Sequence, residues 1–431
     1  MRPSPTPPLP ADLASARPAV WEFAGLLLTY WCNARCAFCY VYSGPERGGQ
    51  MRVQDALRLW GSLDRLAARH GKQMRIHLSG GEPFGDWPRL LSLVRAARET
   101  GLSPVEKIET NAYWATGDGI VRSRLEQLDA LGMQMLVVSS DVYHQEFVPL
   151  ERVRRCVEIA RQVLGPARVR VRWWDFFRHA TQTGGQADPT LPRETCRTDS
   201  GRRRRAYAAA LRRHRDRLTG RAADELAELL PRHPAPYFRG RNCIREILYS
   251  RHVHIDPYGN VFPGVCNGII LGRALEQAPE QLWQRLADGW CAHPVVAAVV
   301  SGGSFELMQQ ATAFGYQELS GGYASKCHLC HHVRQFLHGR GIWPELVGPA
   351  ECYAGAGHAG PAPGGPRSAQ PAPLVPEPGP ACPTPGPENT ARCGAPADNQ
   401  DSSSRTRSSS RLVARMPSGS LKRGPSYSMP T

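Results

Sequence analysis

The feature that most limits the fold is an alternation of short apolar segments with longer amphipathic segments between residues 25 and 174. Four segments place apolar residues on one helical face: 52–70, 87–100, 118–131 and 149–164. Five short segments have the apolar pattern of β-strands: 25–31, 74–79, 107–110, 134–139 and 168–174. Strands that alternate with helices form parallel sheets with right-handed crossovers. The sequence therefore predicts an α/β fold.

Five strand–helix units in series predict a partial (β/α)6 barrel of the TIM type, and a flat doubly wound sheet is the alternative. In both architectures, functional groups gather beyond the carboxyl ends of the strands. Polar or glycine-rich segments follow the first four predicted strands: a cysteine-rich loop at 32–39, GGEPFG at 80–85, TNAYW at 110–114 and SDVYHQ at 140–145. We therefore expect these four segments to meet at one rim of the sheet.

Both ends of the chain differ in composition from its centre. Residues 1–20 and 351–431 are rich in Pro, Gly, Ala and Ser. Such segments bury too little apolar surface to offset the entropy lost on ordering, so we predict that both are disordered. Cys382 and Cys393 lie in the second of these segments and are not expected to bind a metal.

The formal net charge of +15 does not by itself indicate nucleic-acid binding. Residues 201–220 contain eight Arg and one Asp, which gives +7. Residues 401–431 contain five Arg, one Lys and one Asp, which gives +5. Because these two segments carry most of the excess, nucleic acid is an unlikely partner, and a solvated face is the commoner explanation for such a run of charge.

The sequence contains no apolar stretch of about 18 residues or more, so we expect no membrane span. Its Pro-rich start does not resemble a signal peptide. These features predict a cytoplasmic protein, in which the thirteen cysteines are better suited to metal binding and to buried positions than to disulfides. Cys156 shares a helical face with Val153 and Val157 and is predicted to be an inert core thiol.

Three cysteines follow the first predicted strand, in the segment YWCNARCAFCY. Cys32, Cys36 and Cys39 provide three thiols in one short loop, with no fourth Cys or His beside them. Structural zinc takes four ligands, usually as two pairs. A [4Fe–4S] cluster takes one ligand per iron, so three thiolates leave one iron open. The spacing favours such a cluster, with zinc as the alternative.

The segment CNARCAFC resembles the Cys-x3-Cys-x2-Cys signature of radical S-adenosylmethionine (SAM) enzymes, including Phe38 before the last cysteine. The resemblance implies that Cys32, Cys36 and Cys39 hold a [4Fe–4S] cluster whose open iron binds SAM, with Phe38 beside the cofactor. It also implies that one electron cleaves SAM and produces a 5′-deoxyadenosyl radical, which abstracts a substrate hydrogen.

The segment SGGEPF matches the glycine-rich turn that receives the SAM amino group in this family. The resemblance assigns Gly80, Gly81 and Glu82 to that role, with the glycines allowing close backbone approach. A Gly-Gly pair is common in ordinary turns, so its position after the second strand is what supports the assignment.

Polar groups after the third and fourth strands suit the ribose and methionine carboxylate of SAM. The resemblance implies cofactor contacts for Asn111 and for Ser139 or Asp141. The alternative is that Thr110, Ser140 and Asp141 cap the turns that follow.

The segment from 176 to 203 is predicted to be a loop at the substrate side, followed by an Arg-rich helix. His144 either faces substrate or is a hydrogen-bonded structural histidine. The Arg-rich helix either binds an acidic or peptide partner or has a solvated face.

A second cysteine set accompanies a predicted β-hairpin at 249–266, whose turn is Pro-Tyr-Gly-Asn. Cys243, Cys266, Cys327 and Cys330 resemble the ligands of the SPASM or twitch extension of radical SAM enzymes, which holds auxiliary iron–sulfur clusters. The shorter, one-cluster twitch form fits better. A zinc site is the rival interpretation, and the possible substitute ligands are Cys291 and Cys352.

The resemblance covers residues 24–335 and divides them into a radical SAM core at 21–238 and an auxiliary cluster domain at 239–350. It implies a radical SAM oxidoreductase or maturase with a peptide or protein substrate and an external electron donor such as flavodoxin or ferredoxin. The alternatives are a small-molecule substrate and a non-catalytic metal-binding scaffold or redox-responsive protein.

Overall fold

The five predicted strands of the repeat and those of the predicted hairpin belong to one sheet. The computed structural model describes residues 13, 16–182, 200–214 and 217–353, and these residues contain an eight-stranded sheet in the order β5-β4-β3-β2-β1-β6-β7-β8. The strands are β1 (Phe23–Leu27), β2 (Arg75–Ser79), β3 (Val105–Thr110), β4 (Leu136–Ser139), β5 (Val169–Arg172), β6 (His252–Ile255), β7 (Asn260–Pro263) and β8 (Gly272–Arg273). The six adjacent strands β5, β4, β3, β2, β1 and β6 are parallel to one another, while β7 is antiparallel to both β6 and β8.

Helices connect the parallel strands, as the alternation predicts, and further helices follow β8. They are α1 (Val53–Arg69), α2 (Trp87–Glu99), α3 (Asp118–Ala130), α4 (Leu150–Val163), α5 (Trp174–Gln182), α6 (Ser200–His214), α7 (Arg221–Glu225), α8 (Ile244–Ile247), α9 (Pro279–Gly289), α10 (Pro294–Ser301), α11 (Ser304–Thr312) and α12 (Lys326–Gly339). Local chemistry sets some of the ends: α2 begins at Trp87, where the Asp86 carboxylate accepts a hydrogen bond from the Arg89 backbone N–H at 3.1 Å.

The main apolar core lies between the sheet and its helices. Successive strand residues point to opposite faces, and Ala24 and Leu26 of β1 join a buried cluster with Trp60 and Leu63 of α1. Burial of each large apolar side chain contributes about 1.5–3 kcal/mol. Cys156 of α4 is fully buried in the same cluster, in agreement with its prediction as a core thiol.

The α/β class and the parallel sheet are confirmed, and two details differ from expectation. The sixth parallel strand, β6, pairs with β1 (Phe23 opposite His252) rather than continuing after β5, so the hairpin extends the same sheet. Residues 174–182 form helix α5, although 176–203 is predicted to be a loop. Much of that segment, including Cys196, lies outside the described residues, as do the predicted tails beyond residue 353 and before residue 13.

Strand β1 has a glycine, Gly25, at the position where histidine side chains from the two neighbouring strands approach each other. Gly25 pairs with His77 of β2 on one side and with His254 of β6 on the other. A Cβ atom at Gly25 would lie 2.3 Å from His254 Cδ2 and 2.4 Å from His77 Nε2. These distances are far below van der Waals contact, so only glycine fits between the two rings.

Gly25→Ala is expected to lower the free energy of unfolding by about 1–3 kcal/mol, because the added methyl group overpacks a buried row. Gly61→Ala is the matched control. Gly61 lies in α1 with 3.5 Å to the nearest side-chain atom, and there alanine should stabilise by about 0.5–1 kcal/mol. Chemical denaturation of both variants measures the difference, and equal effects would contradict this account of Gly25.

The hairpin turn is built around a buried carboxylate. Asp256 accepts hydrogen bonds from the backbone N–H groups of Tyr258 and Asn260, from the Asn260 amide and from the Tyr30 hydroxyl, at 2.8–2.9 Å. Burial raises the pKa of Asp256 to about 6, although these hydrogen bonds oppose the increase. Tyr30 follows β1, so the carboxylate also connects the hairpin to the central strand.

Because the folded-state pKa of Asp256 exceeds its unfolded value of about 3.9, the folded protein binds the proton more tightly. As the pH rises from about 4 to about 6, the free energy of unfolding is therefore expected to fall by up to about 3 kcal/mol. Asp256→Asn removes this titration, so the wild-type minus variant free energy of unfolding should fall over that interval and then level off. Asp288→Asn, at an exposed residue of α9, is the control. A pH-independent difference for Asp256→Asn would contradict the prediction.

Candidate functional site

The cysteine loop leaves the carboxyl end of β1 and is held in place by backbone hydrogen bonds. The Leu28 N–H donates to the Ser79 carbonyl at 2.8 Å, and the Cys32 N–H donates to the Gly44 carbonyl at 3.1 Å. Cys32 and Cys36 are buried, and Cys39 is half-buried. Burial raises the pKa of the Cys36 thiol, and the charges of Cys32 and Cys39 add to the increase. The three thiols therefore interact electrostatically.

The spacing of these thiols is wider than zinc requires. Zinc–sulfur bonds of 2.3 Å in a tetrahedron place thiolates about 3.8 Å apart. Among the residues that the structure describes, no three cysteine sulfurs all lie within 4.8 Å of one another. A [4Fe–4S] cluster takes one thiolate per iron, so Cys32, Cys36 and Cys39 suit such a cluster with one iron left open.

A buried arginine that the sequence reasoning missed supports the cysteine loop. Arg221 donates to the carbonyl oxygens of Cys36 at 3.0 Å and Ser43 at 2.8 Å, and its own N–H donates to the Cys39 carbonyl at 2.8 Å. The preceding Gly220 has φ +61°, and a Cβ there would lie 2.4 Å from the Tyr40 backbone. Nothing in the local sequence distinguishes Arg221 from the many other arginines.

The glycine-rich turn after β2 lies directly against the start of the cysteine loop. The Gly81 N–H donates to the Thr29 carbonyl at 2.6 Å, and the Glu82 N–H donates to the Trp31 carbonyl at 3.0 Å. A Cβ at Gly81 would lie 1.9 Å from the Trp31 oxygen, and one at Gly80 would lie 2.6 Å from the Thr29 oxygen. Both glycines therefore permit close packing of the turn against the backbone of the cysteine loop, and their contact with SAM stays a prediction.

The Glu82 side chain connects the ends of β2 and β3. Its carboxylate accepts hydrogen bonds from the Thr110 hydroxyl at 2.8 Å, the Asn111 N–H at 2.7 Å and the Phe84 N–H at 3.1 Å. Burial raises the pKa of Glu82 to about 7 against the effect of these donors. Because both oxygens already have protein partners, contact between Glu82 and SAM stays a prediction.

Asn111 lies between the third strand and the cysteine loop. Its amide nitrogen is 3.6 Å from the Cys32 sulfur and donates to Asn33 Oδ1 at 2.8 Å. Its oxygen accepts from the Tyr113 N–H at 2.9 Å. The structure therefore brings Asn111 to the first cysteine, where a cofactor contact is predicted.

The segment after β4 forms a tight turn around a buried carboxylate. Asp141 accepts from the Tyr143 N–H at 3.0 Å, the His144 N–H at 2.9 Å and the His144 ring at 2.7 Å. Burial opposes ionisation of Asp141, but the neighbouring His144 holds its pKa below the usual value. These hydrogen bonds agree with the alternative that Asp141 caps the turn. The half-buried Ser139 ends β4, and cofactor contacts of both residues stay predictions.

Phe38 joins the cysteine loop to the turn after β4. Its ring stacks on Tyr143 with centroids 4.9 Å apart and meets His144 edge-on at 5.2 Å. The Arg172 guanidinium lies 5.2 Å from the Phe38 centroid. The loops after β1, β2, β3 and β4 thus meet at one rim, as the strand pattern predicts.

The Arg-rich helix α6 covers this rim. Tyr207, Ala210 and Leu211 are buried in a cluster that also contains Cys32 and Cys36. Four arginines of α6 are exposed: Arg204, Arg205, Arg212 and Arg213. The helix therefore has an apolar face against the cysteine loop and a solvated face of arginines.

The second cysteine set comes together at the start of α12. Hydrogen bonds join the segments that carry these cysteines: Lys326, beside Cys327, donates to the Asn242 carbonyl at 2.9 Å, and Arg334 of the same helix donates to the Asn267 carbonyl at 2.6 Å. Arg217 donates to the Cys266 sulfur at 3.9 Å. Cys352 is buried, and burial raises the pKa of its thiol. The next largest effect on this pKa comes from the charge of Asp256 rather than from a cysteine of this set.

A network of hydrogen bonds connects the two cysteine sets. Tyr42, in the first loop, donates to Asp224 of α7 and lies 3.3 Å from His331 Nε2. His331 belongs to α12, and its Nδ1 accepts from the Gly220 N–H at 3.4 Å. The segment 219–225 therefore contacts both the first cysteine loop and the helix that carries Cys327 and Cys330.

Arg221→Lys should lower the free energy of unfolding by about 1–3 kcal/mol, because an ammonium group cannot reproduce the fork that donates to two buried carbonyl oxygens. The variant should also retain less iron at the first cysteine set after anaerobic reconstitution. Arg205→Lys, on the exposed face of α6, should stay within about 0.5 kcal/mol of wild type. Denaturation curves and iron assays of both variants test this role, which indistinguishable behaviour would contradict.

Comparison with known proteins agrees with this geometry. Residues 26–169 match the family model described as the Radical SAM superfamily. The "Putative peptide biosynthesis protein YydG" of Bacillus subtilis (strain 168) is 26% identical over 134 residues, which are 30% of this chain and 39% of the relative. The match therefore spans less than half of that relative's length.

Two solved structures show weaker similarity. BtrN in complex with AdoMet and 2-DOIA is 17% identical, covers 64% of this chain and 90% of its own, and has a TM-score of 0.35. AnSMEcpe with bound AdoMet and Cp18Cys peptide is 12% identical, covers 75% of this chain and 98% of its own, and has a TM-score of 0.34. At these scores the two structures add nothing to the sequence match.

Of the helices described, none combines the length and apolar character needed to cross a bilayer. The cysteine loop, the glycine-rich turn and the family match cover the same part of the sequence. This chain contains a radical SAM domain.

Proposed function

We propose that this chain is an enzyme that cleaves SAM reductively at the rim above β1–β4 and uses the resulting radical to modify a peptide or protein. The observation that supports this most is the contact between the cysteine loop and the glycine-rich turn, in which Gly81 donates to Thr29 at 2.6 Å. When bound, the [4Fe–4S] cluster supplies the electron that cleaves the sulfur–C5′ bond of SAM, and the 5′-deoxyadenosyl radical takes a hydrogen atom from the substrate.

The residues of the chain bind and orient these groups. Cys32, Cys36 and Cys39 provide three thiolate ligands, and Arg221 holds their loop in one conformation. The turn at Gly80 and Gly81 presents backbone beside the loop, where an ammonium group would be received. The cover formed by α6 and the aromatic side chains of Phe38 and Tyr143 limits access of water to the rim.

Cys243, Cys266, Cys327 and Cys330 are proposed to hold an auxiliary [4Fe–4S] cluster. Four thiolates and a cluster concentrate negative charge, and cationic side chains lie beside them. Arg217 contacts the Cys266 sulfur. Burial acts to lower the pKa of the Lys326 ammonium, but the charge of Cys243 acts in the opposite direction, and the pKa is raised. A zinc site with the same ligands is the rival interpretation. The electron for SAM cleavage is proposed to come from an external donor such as flavodoxin or ferredoxin.

A peptide or protein substrate is supported by the curated relative, whose name refers to peptide biosynthesis. The support is limited to the matched segment of that relative. The exposed arginines of α6 offer a cationic surface beside the rim, to which an acidic segment of a peptide can bind. A small-molecule substrate is the alternative outcome of the tests below.

Anaerobic reconstitution should yield about eight irons and eight sulfides per chain, and addition of SAM with a reductant should produce 5′-deoxyadenosine. Cys32→Ala should lose the product and about half of the iron. Cys327→Ser should also lose about half of the iron but retain SAM cleavage, because it affects only the second set. Iron assays and chromatography of the products measure these outcomes.

About four irons in the wild type, together with zinc bound by thiolates, would contradict the auxiliary cluster. Product formation by Cys32→Ala equal to that of wild type would contradict the enzyme and leave the non-catalytic scaffold. Any short Cys-, Ser- or Thr-rich peptide that is found encoded beside the gene should, when deuterated, transfer deuterium to 5′-deoxyadenosine. Transfer from a small molecule but from no such peptide would contradict the proposed substrate.

A further inference from the structure

Three histidines lie together on the face of the sheet opposite the main core, and none of them belongs to either cysteine set. His77 belongs to β2, and His252 and His254 belong to β6, so they flank β1 from both sides. His77 and His254 are 2% and 3% exposed, and His252 is half-buried. Potential ligand atoms of the three side chains all lie within 4.8 Å of one another.

The tautomer of His254 follows from its hydrogen bond. His254 Nδ1 contacts the Gly264 carbonyl oxygen, which can only accept a hydrogen bond, so Nδ1 carries the proton. The other nitrogen, Nε2, therefore presents its lone pair towards His77. A ring N–H donated to a backbone carbonyl is the usual second contact of a metal-binding histidine.

The distance between His254 and His77 has two physical explanations. Their Nε2 atoms are 3.3 Å apart, which allows a single hydrogen bond from His77 to His254. Two nitrogens bound to one zinc ion at 2.0–2.1 Å in tetrahedral geometry are also about 3.3–3.4 Å apart. The distance by itself does not separate these explanations.

His252 separates them. Its Nε2 is buried and has no hydrogen-bond partner among the described residues. His77 Nδ1 is also buried without a partner, but it points away from His254 in both explanations and does not distinguish them. One hydrogen bond between His77 and His254 leaves His252 Nε2 unsatisfied, and a buried polar atom without a partner costs about 1–3 kcal/mol. A shared metal ion gives all three imidazoles a partner at once.

The surroundings suit a cation held by neutral imidazoles. Gly25 leaves open the space between His77 and His254 that any Cβ would fill. The ammonium of Lys107, whose charge acts on all three histidines, is paired with the half-buried Glu109 at 2.6 Å, so its charge is compensated. Burial lowers the pKa of each of the three histidines, which keeps the rings in the form that binds metals.

We propose that His77, His252 and His254 bind one divalent zinc ion at a site separate from both cysteine sets. Three imidazoles are a ligand set that zinc prefers, and they leave a fourth position for water. The ion would cross-link β2 to β6 over the glycine of β1. It would therefore fasten the hairpin to the parallel sheet, since the chain between β5 and β6 is long.

The test uses the full-length protein, purified anaerobically from zinc-supplemented cells and reconstituted with iron. Elemental analysis should find about one zinc per chain in addition to iron. X-ray absorption at the zinc edge should show only nitrogen or oxygen neighbours at about 2.0–2.1 Å, with the outer scattering of imidazole. Thiolate neighbours at about 2.3 Å, or no zinc, would overturn the proposal.

Three variants assign the site. His252→Gln, at the half-buried member of the three, should lower zinc affinity at least about tenfold and leave the iron content unchanged. Cys327→Ser should keep its zinc, and so should His70→Gln, at an exposed histidine outside the sheet. Zinc lost from Cys327→Ser but kept by His252→Gln would overturn the proposal.

A measurement on the wild type is independent of whether the variants fold. Co²⁺ in place of zinc should give visible bands typical of nitrogen and oxygen ligation, without the near-ultraviolet absorption of cobalt–thiolate bonds. Strong thiolate absorption that accounts for all of the bound Co²⁺ would overturn the site. None of these readouts depends on SAM cleavage, so the metal site and the proposed activity can fail separately.

Discussion

The close contact between two backbone segments at the ends of β1 and β2 determines the geometry of the rim. Gly81 and Glu82 donate to the carbonyl oxygens of Thr29 and Trp31, and a Cβ at Gly81 would lie 1.9 Å from the Trp31 oxygen. Because only glycine permits this approach, the turn that is expected to receive SAM lies beside the first cysteine. Glu82 then extends the contact to β3 through Asn111, whose amide lies 3.6 Å from Cys32.

The second constraint is a buried guanidinium outside the strand–helix repeat. Arg221 donates to two carbonyl oxygens of the cysteine loop, and its neighbour Gly220 donates to His331 of α12. Buried contacts therefore connect the first cysteine loop to the helix that carries Cys327. Gly220 and Arg221 join these two regions, which lie far apart in sequence. Such buried polar contacts are stabilising when every group is paired.

Much of the rim could be predicted without the structure. The strand–helix periodicity placed four polar segments at successive strand ends, and the glycines and cysteines have few other uses at such positions. The roles of Glu82 and Asp141 could not be predicted, because a carboxylate that binds cofactor and one that accepts backbone N–H groups look alike in a sequence. Arg221 could not be singled out either, because it is one arginine among many. Helix α5 was not predicted, since most of its residues lie in a segment predicted to be a loop.

The sequence by itself determined the parallel α/β sheet, the three-thiol loop and the family of the domain, because periodicity and short motifs are local properties of the chain. Only the tertiary structure decided that the hairpin strand β6 lies beside β1 and not after β5. That placement sets His252 and His254 across Gly25 from His77. Histidines separated by about 175 residues carry no joint signal in the sequence, since their proximity arises from strand order and from the absence of one side chain.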